Sequence, residues 1–391
     1  MQTQADKGTV NIWQRNTGLA AFAISGACAI SSGIVVSLLQ ERLGFPYGTT
    51  GVLLAFMNIG NFLAGFAAGL LTGKIGMKRA VAILAAGYAL GYFLMAAGGR
   101  VWLLAAAFFL VGIGKGGTIN TCTVLVGDNS PNRTRGMNIM HGGYALGALL
   151  CPFLVSWTAK VDSRLSAMLL GCCGLLLWLL FVAAPMEGVG GRKKKTGGGT
   201  EFLKSKKFWL LTGLIFCQNA AETSVVGWMV TYFKGSGILS GVLSAYTVTV
   251  MWTATLVLRL LIAFVFPIKD TGSAMIKMGF CCTIFYIFLI MAKGPVSAIV
   301  LLFGFAASMA GMNPTAVASA GSMASVASMG VMLPLASVGA IVMPWAIGMV
   351  AQRAGITAGM ACNVAPCVGM LWFSWAVRRL EHGKTGGVTA A

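Results

Sequence analysis

The sequence predicts an all-α membrane protein, with twelve transmembrane helices arranged as two pseudo-symmetric six-helix bundles. Three observations predict it. Hydrophobic residues make up 57% of the 391 residues and charged residues only 9%, against about 25% charged in soluble domains. The chain is a series of apolar runs near the ~20 residues a helix needs to cross a bilayer, without the alternation of a barrel strand. One long hydrophilic segment, PMEGVGGRKKKTGGGTEFLKSKK, divides these runs six and six.

In order, the spans fall near 16–39, 48–72, 79–98, 101–127, 136–158 and 165–184, then 208–233, 241–266, 274–292, 296–320, 326–350 and 357–378. The expected organisation is an N-terminal half, 1–184, a basic Gly/Lys linker, 185–207, and a C-terminal half, 208–391. An internal repeat supports it. Gly147-Ala-Leu-Leu-Cys-Pro152-Phe in span five reappears as Gly339-Ala-Ile-Val-Met-Pro344-Trp in span eleven, offset by 192. Asn120 in span four and Asn313 in span ten are offset by 193.

The net charge of +19 is spread over span ends, not over a basic face interleaved with aromatics. It therefore reads as topology, and nucleic acid is excluded as a partner. With the N-terminus inside, seven Lys and Arg of the first half, seven of the linker and five of the second half face inward, and seven face outward. Both termini are expected in the cytoplasm, in a protein of a bacterial inner (plasma) membrane. All ten cysteines fall in apolar spans, with no C-x-x-C and no His/Cys cluster, so neither a metal site nor a disulfide framework is expected. Ala27–Ala29 imitates a signal-peptidase site, but the apolar run continues to Leu39 and reads as an uncleaved first helix. Asn132-Arg133-Thr134 matches a glycosylation sequon and falls on the cytoplasmic side.

Of the nine acidic residues, Glu222 alone lies deep in a span. An ionised carboxylate there costs roughly 3 kcal/mol, and such a group persists where it faces a water-filled cavity or a partner. Glu222 is thus the candidate proton-coupling residue, or else a neutral hydrogen-bonded structural acid. Lys115, in Gly112-Ile-Gly-Lys-Gly-Gly-Thr118, is a cation inside span four. The letters also satisfy G-x-G-x-x-G, but no strand precedes them, so a dinucleotide fingerprint is rejected. Trp252 and Arg259 are seven apart and share a helix face. His141 can titrate near working pH, which makes it a second proton-carrying candidate beside a purely structural reading. Asn58, Asn61, Asn120, Gln218, Asn219 and Asn313 are intramembrane amides suited to hydroxyl recognition or to helix–helix contact. No H-E-x-x-H or G-x-S-x-G occurs and there are two histidines, so a membrane enzyme is not expected.

Gly69-Leu-Leu-Thr-Gly73-Lys74-Ile-Gly76-Met-Lys78-Arg79 resembles the major facilitator loop between helices two and three, G-x-x-x-D-[RK]-x-G-x-[RK]-[RK]. The resemblance makes Gly69, Lys74, Gly76, Lys78 and Arg79 the gating loop, although Gly73 stands where the family has Asp. Gly136-Met-Asn138-Ile-Met-His141, Ala221-Glu222 with Trp228 and Tyr232, Trp252 with Arg259, and Asn313-Pro314-Thr315 are similar to motifs of the fucose–proton symporter branch. The branch's acidic residues in helices one and four have no counterpart here, so its sugar mechanism does not carry over directly. The antiporter signature G-x-x-x-G-P-x-x-G-G is not met either, because Cys151 precedes Pro152.

The resemblance implies alternating access around a midplane site between the halves. The expected function is proton-coupled symport of a small polar solute, a sugar or sugar derivative. The alternatives are an anionic solute held by Lys115 and Arg259, or a transporter-like sensor. The expected partners are that solute, protons and the lipid bilayer; a monomer and no cofactor are expected.

Overall fold

Helices follow one another where the apolar runs place them. The computed structural model describes residues 11–131, 133–186, 200–266, 268–320 and 326–385. Most of the linker, 187–199, and Asn132 of the sequon lie outside them. The first span is α1 (Ile12–Ile30) continued by α2 (Ser32–Leu43). Then come α3 (Tyr47–Ile75), α4 (Met77–Ala97), α5 (Val101–Asp128), α6 (Arg133–Ala159) and α7 (Ser163–Ala183). A 3₁₀ turn, Thr200–Lys204, leads into α8 (Lys206–Gly235). The second half continues with α9 (Gly241–Ala245) and α10 (Thr247–Phe264), α11 (Thr271–Met291), then α12 (Pro295–Ala310) and α13 (Met312–Ser319). It closes with α14 (Val326–Ala354), α15 (Ile356–Ala361) and α16 (Val364–Thr385).

Among the described residues, eleven spans are long and apolar enough to cross a membrane. The twelfth, α8, has 30 residues, roughly 45 Å at 1.5 Å per residue. It falls short only in apolarity, because Gln218, Asn219 and Glu222 occupy its middle. The acids elsewhere have local work. Asp162 and Asp270 cap α7 and α11 by accepting backbone N–H bonds, and Glu41 and Glu381 are ion-paired.

Helices α1–α7 pack chiefly on one another, as do α8–α16. The sequence repeat is a packing repeat. A Cβ at Gly147 would overlap the Ala23 carbonyl of α1, and one at Gly339 would overlap the Phe216 carbonyl of α8. Ala23 and Phe216 are themselves 193 apart. Each half thus lays its fifth helix against its first at one glycine, which lets the backbones touch.

The halves meet where α2 crosses α8, α3 runs along α14, and α6 lies beside α10. Gly33 sits on the Val226 carbonyl, again at an offset of 193, so the pseudo-twofold axis passes through this crossing. Among the described residues, the side-chain hydrogen bonds between halves lie toward the end opposite the termini. Lys234 Nζ meets Glu41 Oε1 at 2.8 Å, Gly48 N–H donates to Gln352 Oε1 at 3.3 Å, and Thr249 Oγ1 donates to the Leu149 carbonyl at 3.1 Å. The bundle is closed at that end.

Two helix breaks frame the centre. At Ser31, between α1 and α2, the hydroxyl lies 3.0 Å from the Cys28 carbonyl and 2.9 Å from the Tyr92 hydroxyl, and its single proton serves one or the other. Tyr92 also donates to that carbonyl, and such side-chain competition bends helices. At Gly311, between α12 and α13, Pro314 has no N–H for the carbonyl four residues back, that of Ala310. Arg259 Nε supplies the donor at 3.2 Å.

Candidate functional site

Between the halves lies a cavity of about 110 Å³. From the first half, Ala29, Ile30 and Ser32 line it beside the Ser31 break, with Leu54, Met57 and Asn58 of α3, Lys115 of α5 and Tyr144 of α6. From the second half come Glu222, Thr223, Val226 and Gly227 of α8 and Trp252 of α10. Ala29 and Glu222 are 193 apart, so equivalent positions face each other and only one carries charge.

Glu222 and Lys115 share this cavity without a direct ion pair among the described residues. The carboxylate accepts a hydrogen bond from Gln218 Nε2, one turn earlier on α8. Gln218 Oε1 in turn accepts from Asn313 Nδ2 at 3.3 Å. A polar chain therefore runs from the Gly311 break to the cavity. Asn363, fully buried in the bend between α15 and α16, donates to the Ala221 carbonyl beside Glu222 at 3.3 Å.

Trp252 packs edge-on against Tyr144, with centroids 5.6 Å apart. Among the described residues its indole N–H has no hydrogen-bond partner, nor has the Thr118 hydroxyl, one turn from Lys115. Buried donors are ordinarily satisfied. An unpartnered N–H on a cavity-lining side chain is a donor available to a solute.

Of the residues singled out in the sequence, Glu222, Lys115, Asn58 and Trp252 line the cavity, and Gln218 and Asn313 reach it through hydrogen bonds. Five do not line it. Arg259 is exposed and serves the Ala310 carbonyl, because the proline break claims its donor. Asn120 is exposed and bonds the Gly116 carbonyl of its own helix at 2.9 Å. Asn61 lies at the α3–α5 contact beside Gly112, and Asn219 is half-buried on α8. His141 is exposed and stands edge-on to Phe22 at 5.4 Å. Phe22 packs at 4.9 Å against Tyr144, so rings connect His141 to the cavity. Trp228, which shares the symporter-like motif with Glu222, is fully buried and donates to the Pro344 carbonyl at 3.0 Å.

In the loop, Gly69 lies within α3, Gly76 takes φ 82° between α3 and α4, and Lys74, Lys78 and Arg79 are exposed. Gly73, in the last turn of α3, faces open space, so an acidic side chain there would meet no steric obstacle. Sequence reasoning passed over Tyr144, Thr223 and Asn363. Tyr144 lies three residues, about one helical turn, beyond His141 of the symporter-like motif, and that spacing was its signal.

The sequence profile described as Major Facilitator Superfamily matches residues 17–344. A gallate transporter of Pseudomonas putida is 26% identical over 226 residues, 52% of this chain and 50% of that protein. A TsgA homolog of Edwardsiella ictaluri is 23% identical over 257 residues, 61% of this chain and 64% of its own length. The matched stretch thus spans half to two thirds of these relatives. Among solved structures, a mutant form of the nucleoside transporter NupG superposes with a TM-score of 0.77 at 13% identity, covering 94% of this chain and 99% of that one. A bacterial homolog of the human lysosomal transporter Spinster gives 0.72 at 12% identity, with 94% and 96% covered. At these identities the likeness concerns the fold.

Proposed function

The chain belongs to the Major Facilitator Superfamily, a family of multi-pass membrane transporters, and from that premise we propose that it is a proton-coupled symporter of a small ring carboxylate. The observation that carries this reading is Lys115, an ammonium in the central cavity that no carboxylate among the described residues contacts directly. A solute carboxylate would complete it. Trp252 and Tyr144 offer ring faces and edges, while Asn58 and the free indole N–H suit hydroxyl groups. A cavity of about 110 Å³ is below the ~150 Å³ that holds benzene, which argues against a nucleoside or disaccharide and requires the cavity to widen when a substituted ring enters. The relative named as a gallate transporter supports the same class.

A neutral sugar is the second reading. The amide chain Asn313–Gln218 and the motif likeness to the fucose–proton symporter branch favour it. In either case Glu222 is the coupling group. When ionised it accepts from Gln218. Once protonated it can donate instead, which turns the Gln218 amide and releases Asn313. Proton loading is thereby linked to the broken span α12–α13.

Driving forces separate the readings. One proton with a monocarboxylate carries no net charge, whereas one proton with a sugar carries +1. Proteoliposomes given a pH gradient alone, then a membrane potential alone, are to be loaded with labelled gallate or a labelled hexose. Gallate accumulation under the pH gradient and not under the potential is the expected result. Lys115→Gln should weaken it by on the order of 10- to 100-fold, the loss of one hydrogen bond between charged groups. Potential-driven hexose uptake that Lys115→Gln leaves intact would sink the carboxylate reading, and binding without exchange would mark a sensor.

The Lys and Arg asymmetry puts the termini and the linker in the cytoplasm, and the closed end of the bundle outside. A cysteine placed at Thr196, outside the described residues, should resist an impermeant thiol reagent in intact cells. Rapid labelling there reverses the topology.

A further inference from the structure

We propose that the groove between the terminal ends of α11 and α16 is a binding site for an anionic phospholipid. Ile276, Trp375, Arg378 and Arg379 line a groove of about 390 Å³. It opens on the outer surface of the second half, away from the central cavity. The Arg379 guanidinium carbon stands 5.3 Å from the centroid of the Trp375 ring, and this stacking holds a planar donor fork at the groove mouth.

Among the described residues, Asp270 and Glu381, the carboxylates beside the groove, are already engaged. Asp270 accepts from the Gly272 and Ser273 N–H groups at the start of α11. Glu381 pairs with Lys207 at 2.6 Å and accepts from Ser319. Among the described residues, neither guanidinium is ion-paired with them. Lys269 and Lys277 are exposed at the same end, so the local field is positive and an anion is the complementary charge.

What distinguishes a lipid from a free anion is the surface leading away from the groove. On α11, Phe280 and Phe288 are 55% and 52% exposed, with Ile284 between them on the same face. On α16, Val368 and Trp372 are 47% and 53% exposed. This stripe of large apolar side chains runs along α11 and α16 and leads to the two arginines. Acyl chains lie on the stripe while the phosphate meets the guanidinium forks, which match phosphate oxygens bidentately.

Thermal unfolding of the detergent-purified full-length protein tests it. Dioleoyl phosphatidylglycerol should raise Tm saturably, while dioleoyl phosphatidylcholine and inorganic phosphate should not. In R378Q/R379Q the half-saturating lipid concentration should rise at least about tenfold, as expected from losing hydrogen bonds to a charged group. If the double variant does not purify, R379Q alone, whose side chain is exposed, should show a weaker response of the same kind. Equal stabilisation by phosphatidylcholine overturns the proposal, as does an unchanged midpoint in the variants. A full shift with inorganic phosphate alone assigns the groove to a free anion and overturns it as well.

Discussion

Glu222→Gln is expected to abolish accumulation of solute against a gradient while leaving exchange across equilibrated membranes intact. Glutamine keeps the size and hydrogen-bonding capacity of the acid and removes its titration. It can still accept from Gln218 through its amide oxygen, so the chain to Asn313 survives in the form that the ionised carboxylate holds. What is lost is the second arrangement, in which a protonated acid donates. A one-unit pH gradient is worth about 1.36 kcal/mol, hence about a tenfold solute ratio for one proton. That ratio should collapse to unity in the variant, and its pH dependence should vanish. The measurement is counterflow and pH-driven uptake of the same labelled solute in the same vesicles. Gradient-driven, pH-dependent accumulation surviving in Glu222→Gln would make the carboxylate structural, and the proton route would then have to pass through His141.

Gly33→Leu is expected to hold the two halves apart at the end opposite the termini. Gly33 rests on the Val226 carbonyl at the crossing of α2 and α8, where a Cβ has no room. Overpacking a tight contact costs about 1–3 kcal/mol, and a cost borne by the closed form alone shifts the open–closed equilibrium by about 5- to 150-fold. The Glu41–Lys234 pair, 2.8 Å apart when closed, reports the state. Cysteines at these two positions should be joined by a short crosslinker that is thiol-reactive at both ends, such as a bis-methanethiosulfonate, in the parent and poorly in Gly33→Leu. Exposed Cys172 and Cys281 require a control lacking the introduced pair. An unchanged crosslinking yield in a folded Gly33→Leu protein removes Gly33 from the closure. Transport should fall along with the yield, since a carrier that cannot close at one end cannot cycle.

Both predictions rest on residues whose visibility in the sequence differed. Glu222 stood out because a lone acid in an apolar run is costly wherever it points. Gly33 was one of 53 glycines, and nothing in its neighbourhood marks the contact. The distinction lies in range: the cost of burying a charge is a local property of the chain, whereas a close approach between α2 and α8 joins residues 193 apart.

The sequence by itself determined the class of fold, the number and order of spans, and the duplication. Lipid offers backbone groups no water, so each span must be helical on its own, and apolar length alone identifies it. The repeat survived in the letters because Gly147 and Gly339 each sit against a carbonyl that tolerates no side chain. Only the tertiary structure decided which polar residues meet. Lys115 and Glu222 line one cavity although 107 positions separate them (115 to 222). Arg259, as prominent in the sequence, is drawn away to the Ala310 carbonyl that Pro314 leaves unpaired. Asn58 and Asn61, three apart on α3, part company in the same way. One turn of helix puts the first in the cavity wall and the second against α5, and the choice between them depends on where α5 and α8 lie.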